Sequence, residues 1–152
     1  MRREPASKHI MATAPANKLA NADSLPFWSA AQEGRLMFKR CLQCRHVQFP
    51  PRHLCPKCWS DQAEWIASKG EGTVHSYTIV HRAAIAAYAD RVPYVLAMVE
   101  LTDAPRMIAN IVGEGALEVG IGDAVEVVFE ERDGYALPQF QRCANRVPSG
   151  ST

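Results

Sequence analysis

The 152-residue sequence predicts a mainly β protein: a short N-terminal helix, a small four-cysteine metal module and a five-stranded OB-fold barrel. Three observations predict it. Two Cys-x-x-Cys pairs stand ten residues apart in "CLQCRHVQFPPRHLCPKC", Cys41 to Cys58. Five segments with strand character follow, separated by turn signals, with a glycine-punctuated connector between the third and the fourth. Charge is segregated: residues 34–60 hold six cations and no acid, whereas residues 70–142 hold five arginines against eleven carboxylates. The length suits one domain, or a small module attached to a larger one. No window approaches the apolar length of a transmembrane helix.

Residues 1–22, "MRREPASKHIMATAPANKLANA", start basic but carry no apolar core after the arginines, which argues against a signal peptide. Their Ala, Pro and Asn content reads as a flexible leader, with Met11 an alternative start. The helix is expected within 23–36. Ser24 is a candidate N-cap, Pro26 suits the first turn, Phe27, Trp28 and Ala31 follow at helical spacing, and Gly34 is a stop. The stripe either packs its aromatics on the body or presents Phe27 and Trp28 to a partner.

Residues 37–68 form the metal module. Each Cys-x-x-Cys turn brings two sulfurs to one side of a tight loop, and two such turns supply four thiolates at tetrahedral corners. With Cys41, Cys44, Cys55 and Cys58 all occupied as ligands, no coordination position is left for water or substrate. The reading is therefore structural zinc, a closed site. Iron fits the same four sulfurs, and His46 and His53 lie near enough in sequence to replace a ligand. A reactive dithiol would leave the second pair unexplained. The local cations offset the formal −2 charge of a zinc tetrathiolate. Metal binding in modules this short supplies roughly 10–16 kcal/mol of apparent folding free energy.

The barrel is expected over 69–142. In "GEGTVHSYTIVHR" strict alternation puts Thr73, His75, Tyr77, Ile79 and His81 on one face and Val74, Ser76, Thr78 and Val80 on the other. "PYVLAMVEL" and "RMIANIV" are apolar on both faces, as in strands covered on both sides. "AVEVVFEE", the turn "RDG" and "YALPQFQR" complete the set, and Pro138 marks the last strand as edge or bent. The long linker 82–92 joins the first two strands, where an OB-fold commonly borders its ligand site. Residues 143–152 read as a flexible tail, and Cys143 as an isolated thiol.

"PFWSAAQEGRLMFKRC", the cysteine stretch, "GEGTVHSYTIVHR", "PYVLAMVEL" and "IGDAVEVVFEE" in this order resemble the zinc-ribbon OB-fold proteins associated with acyl-CoA metabolism, a family catalogued as domain of unknown function thirty-five. The likeness runs from about residue 25 to 141. It implies a rubredoxin-like zinc ribbon over 37–68 with Cys41, Cys44, Cys55 and Cys58 as ligands, an OB-fold, and a thiolase- or hydratase-type companion. The family often places Gly after the second Cys of each knuckle, where positive φ is wanted; this chain has Arg45 and Trp59 there.

The expected function is that of a non-catalytic accessory subunit that binds acyl-CoA, docks onto a thiolase- or hydratase-type enzyme of lipid, polyketide or steroid side-chain metabolism, or does both. Coenzyme A needs cations beside apolar surface, which Arg40, Arg45 and Arg52 of the ribbon and Tyr77, His81, Arg82, Tyr88 and Tyr94 of the barrel mouth could supply. A nucleic-acid-binding ribbon/OB module is the alternative, opposed by the negative barrel segment. A self-sufficient enzyme would need a nucleophile, base or open metal in reach of one another. His75, His81 and Cys143 form no such motif. The cysteine usage and the lack of a membrane segment point to the cytoplasm.

Overall fold

The computed structural model describes residues 21–143. The leader and tail expected from the sequence, with Met11, lie outside the described residues apart from 21, 22 and 143. Helix α1, Leu25–Gln32, carries Pro26 in its first turn and buries Phe27, Ala30 and Ala31. Ser24 stands at the N-cap as the sequence suggests, but its side chain makes no bond into the helix: the Asn21 N–H donates to Ser24 Oγ and the Ser24 N–H to Asn21 Oδ1, each at 3.0 Å. Gly34, at φ 73°, ends the helix. Phe27 meets Trp28 edge-on at 5.2 Å and Phe49 at 5.6 Å, and Phe49 meets Phe38 at 5.7 Å. The aromatic stripe thus packs against the ribbon, and helix α1 also rests on the last barrel strand.

The ribbon is a three-stranded antiparallel sheet of β1 (Met37–Cys41), β2 (Val47–Gln48) and β3 (Ala63–Ala67), in the order β2-β1-β3. Arg40 and Glu64 face each other in the register and pair at 2.7 Å, the cross-strand charge pairing that stabilises a small sheet. The joint to the barrel is pinned by Asp103, which accepts from Ser68 Oγ at 2.6 Å and from the Lys69 N–H at 2.8 Å. Gly70 sits at φ 72°, where a Cβ would stand 2.1 Å from Val127 Cγ1. Only glycine fits that joint.

The barrel comprises β4 (Glu71–Val80), β5 (Tyr94–Leu101), β6 (Met107–Val112), β7 (Ala124–Arg132) and β8 (Tyr135–Arg142). It closes in the order β4-β5-β6-β8-β7, with β6–β8 parallel and every other pair antiparallel. This is the OB-fold that the element order predicts. A 3₁₀ segment, Ala86–Arg91, lies in the β4–β5 linker, and a second, Ala116–Glu118, in the β6–β7 connector. Val74, Val95, Val99, Val125 and Phe140 are the largest fully buried barrel side chains, and Leu36 and Phe38 of the ribbon side join the same core. The strand β6 reaches β8 only at Ile111–Phe140 and Val112–Gln141, so Pro138 stands where β8 has β7 alone as ladder partner.

Two strand expectations change. A β-bulge between Val74 and Ser76 inserts one residue into β4, which reverses the alternation beyond it. Tyr77 and Ile79 therefore stand opposite Ala97 and Val95, while Ser76 and Thr78 stand opposite Met98 and Leu96. Among the described residues, β5 and β6 are not covered on both sides. Their inward residues alternate with Leu96, 38% exposed, and Ile108, 60% exposed. No helix among the described residues is long and apolar enough to cross a membrane.

Candidate metal centre and ligand face

The two knuckles are built alike. The Arg45 N–H donates to the Cys41 carbonyl at 3.0 Å and the Trp59 N–H to the Cys55 carbonyl at 2.9 Å. Arg45 and Trp59 both adopt φ 64°, the left-handed turn for which the resemblance implies glycine. These turns gather the sulfurs: Cys41 and Cys58 Sγ lie 3.5 Å apart, Cys44 and Cys55 Sγ 3.6 Å, and all four ligand atoms fall within 4.8 Å of one another. A tetrahedron with Zn–S near ~2.3 Å has edges of ~3.8 Å, so the donor set fits the ion. Neither His46 nor His53 belongs to the cluster.

Electrostatics also favour a metal. The Cys44 N–H, with Gln43 and the neighbouring thiols, lowers Cys41 to about 6 against the effect of burial. Burial raises Cys55, but the N–H groups of Cys58 and Lys57 overcome it and the net shift is downward. The Ser60 N–H favours the Cys58 thiolate, yet burial and the other three thiols push it up to about 12. Four thiols this close cannot all ionise unaided, and a divalent cation is what lets them. When bound, zinc cross-links the two knuckles and leaves no open coordination position.

The surrounding cations divide. Arg35 pairs with Glu33 and Arg40 with Glu64, so these two are not thiolate counter-ions alone. Arg45, Arg52 and Lys57 are exposed. Lys39 Nζ and Gln48 Nε2 donate to the Arg52 carbonyl at 2.9 and 3.0 Å, fixing the backbone and leaving its guanidinium outward.

The predicted ligand residues do not share one cavity. Arg52 lines a recess of about 370 Å³ with Phe27, Trp28 and Phe49. Tyr77 lines a shallow apolar depression with Leu96, Met98 and Ile108. Tyr94 lines a third cavity, of about 430 Å³, on the outer face of β5 and β6. His81 and Arg82 stand exposed where β4 runs into the linker. The third cavity is walled by Tyr88 and Arg91 of the linker and by Glu130 and Arg132 at the end of β7. Sequence reasoning put Tyr88 at the barrel mouth but missed Arg91, Glu130 and Arg132. Their signal was positional, since Arg91 ends the linker and Arg132 opens the "RDG" turn.

Comparison with known proteins agrees with this architecture. Residues 28–64 match the family model described as ChsH2, rubredoxin-like zinc ribbon domain, and residues 65–130 match ChsH2, C-terminal OB-fold domain. A DUF35 domain-containing scaffold protein of Methanothermobacter thermautotrophicus is 37% identical over 101 residues, which cover 66% of this chain and 75% of that protein. A probable enoyl-CoA hydratase alpha subunit of Thermomonospora curvata is 34% identical over 122 residues. That match takes in 80% of this chain but only 38% of the relative's length. Among solved structures, "Ltp2-ChsH2(DUF35) aldolase" superposes with a TM-score of 0.72 at 33% identity, covering 84% of this chain and 98% of that one.

Proposed function

This chain belongs to the DUF35 family of zinc-ribbon OB-fold proteins, and on that premise we propose that it is a non-catalytic accessory subunit docked onto a thiolase- or hydratase-type enzyme in the cytoplasm. One observation carries the reading: among the described residues nothing covers the apolar outer face of β5 and β6, where Leu96, Met98 and Ile108 lie side by side. A lone barrel gains nothing from exposing that face to water, whereas a partner subunit would bury it. The names of its relatives, a scaffold protein and a hydratase alpha subunit, support the same reading, as does the name of the similar structure, an aldolase.

The ribbon, residues 37–68, then acts as a rigid basic knob and the barrel, residues 69–142, as the docking body. The companion's CoA ester passes beside this chain in our reading. Arg45 and Arg52 face its phosphates, Arg40 joins them when its pair with Glu64 opens, and Tyr77, His81, Arg82 and Tyr94 border the acyl side. A single-strand nucleic-acid binder would need a cationic groove along its stacking aromatics, whereas Tyr77 here stands among Leu96, Met98 and Ile108 on the acidic barrel segment, which favours a protein partner.

Affinity purification of the tagged chain from its host tests the docking. A thiolase- or hydratase-type enzyme should co-purify, and Ile108→Asp should weaken its retention by roughly tenfold or more while leaving the fold intact. A chain that stays alone with every such enzyme of its host would sink the reading.

A further inference from the structure

The cavity of about 430 Å³ between the 3₁₀ linker and the end of β7 shares Tyr94 and Leu96 with the face described above, but its charged wall, Arg91, Glu130 and Arg132, has no role in that docking. Its charges are unbalanced. Arg91 Nη1 lies 3.6 Å from Glu130 Oε1, and Arg132 Nη2 donates to the same oxygen at 2.8 Å. Two guanidiniums share one carboxylate, which leaves a positive site inside the acidic half of the chain.

Arg132 is the more telling of the two. Its side chain is only 16% exposed, and its Nε–H is buried with no hydrogen-bond partner among the described residues. A buried donor left unpaired costs about 1–3 kcal/mol, which marks this guanidinium as held in place at a cost. Burial works against its charge, but Glu130 and Tyr88 hold the guanidinium protonated. The walls suit a ring. The Arg91 guanidinium lies 5.8 Å from the centroid of the Tyr88 ring, and Tyr94 and Leu96 border the same space. Behind them Asn110 is locked, donating from Nδ2 to the Val95 carbonyl at 2.9 Å and from its N–H to Gln139 Oε1 at 2.7 Å. The volume lies within the range of small-molecule sites.

We propose that this cavity binds a small organic anion, a carboxylate or phosphate ester bearing a flat ring, with the anionic group held by Arg91 and Arg132 and the ring against Tyr88, Tyr94 and Leu96. The inference is tested on the chain alone and turns on Arg91 and Arg132, so its failure would leave the docking through Met98 and Ile108 standing.

Calorimetric titration of the full chain with naphthoate and with adenosine monophosphate tests it, with inorganic phosphate and naphthol as the anion alone and the neutral ring alone. At least one organic anion should bind more tightly than both controls, and which one binds distinguishes a carboxylate ligand from a phosphate ester. Arg91→Gln, a replacement at a half-exposed side chain that spares the fold, should weaken binding by roughly tenfold or more. Glu130→Gln frees both guanidiniums and should tighten binding several-fold. Heat from neither anion at millimolar concentration would overturn the proposal. So would an affinity indifferent to Arg91→Gln, or one reduced by Glu130→Gln, which would make Glu130 a prop rather than a competitor.

Discussion

Trp59 combines a φ of 64°, which the knuckle needs, with a side chain 75% exposed that gains little burial from being there. A bulky residue in the left-handed region costs roughly 1–2 kcal/mol. Trp59→Gly should therefore raise the free energy of unfolding by about 1 kcal/mol in denaturant titrations of the metal-loaded chain, less the extra entropy that glycine loses on folding. Gly70 is the opposite case. With φ 72° and Val127 Cγ1 2.1 Å from any added Cβ, Gly70→Ala combines strain with overpacking. It should destabilise by about 2 kcal/mol or more, read as a lowered denaturant midpoint at unchanged slope. Neither residue announces its role alone. Trp59 at a glycine-favoured position is legible only against the family's knuckles, and the contact between Gly70 and Val127 joins segments far apart in the chain.

At the scale of elements, the ribbon sheet is small, one strand being the pair Val47–Gln48, and its knuckles are held by four sulfurs. The barrel is closed and carries most of the buried apolar residues. Removal of zinc by a strong chelator, or its displacement by protons in acid, should accelerate amide exchange across residues 37–67 by orders of magnitude. The amides of β5 should stay protected, because their partners lie in β4 and β6. Uniform loss of protection in ribbon and barrel would show instead that the shared core, with Leu36 and Phe38 in it, unfolds as one unit. The strands themselves were legible because each is an apolar or alternating run bounded by turn residues. The bulge in β4 was not, since one inserted residue leaves no mark on composition yet reverses every side chain beyond it. Nor was the uncovered face of β5 and β6, because an apolar residue reads the same whether another part of the chain covers it or a partner does.

Across the whole molecule, charge and shape point in different directions from one centre. The ribbon segment 34–60 is basic without a single acid, and the barrel segment 70–142 is acidic, so a net charge of +1 conceals a strong dipole. The aliphatic face on β5 and β6 lies on the acidic body. A partner that covers this face and also meets the ribbon must present apolar surface beside carboxylates, an arrangement in which the two regions govern different rates. Long-range attraction acts before contact and is screened by salt, whereas apolar burial holds the complex after contact. Raising ionic strength from about 0.05 to about 0.5 M shortens the Debye length from roughly 14 Å to roughly 4 Å. It should slow association with the co-purified enzyme by about tenfold while changing dissociation little. Arg45→Glu combined with Arg52→Glu should reproduce that slowing at low salt. Ile108→Asp should instead speed dissociation, measured on the same surface-immobilised complex. If the arginine reversals leave association unchanged while Ile108→Asp still acts, the ribbon's charge serves the thiolate cage alone, and the barrel face is the whole of the interface.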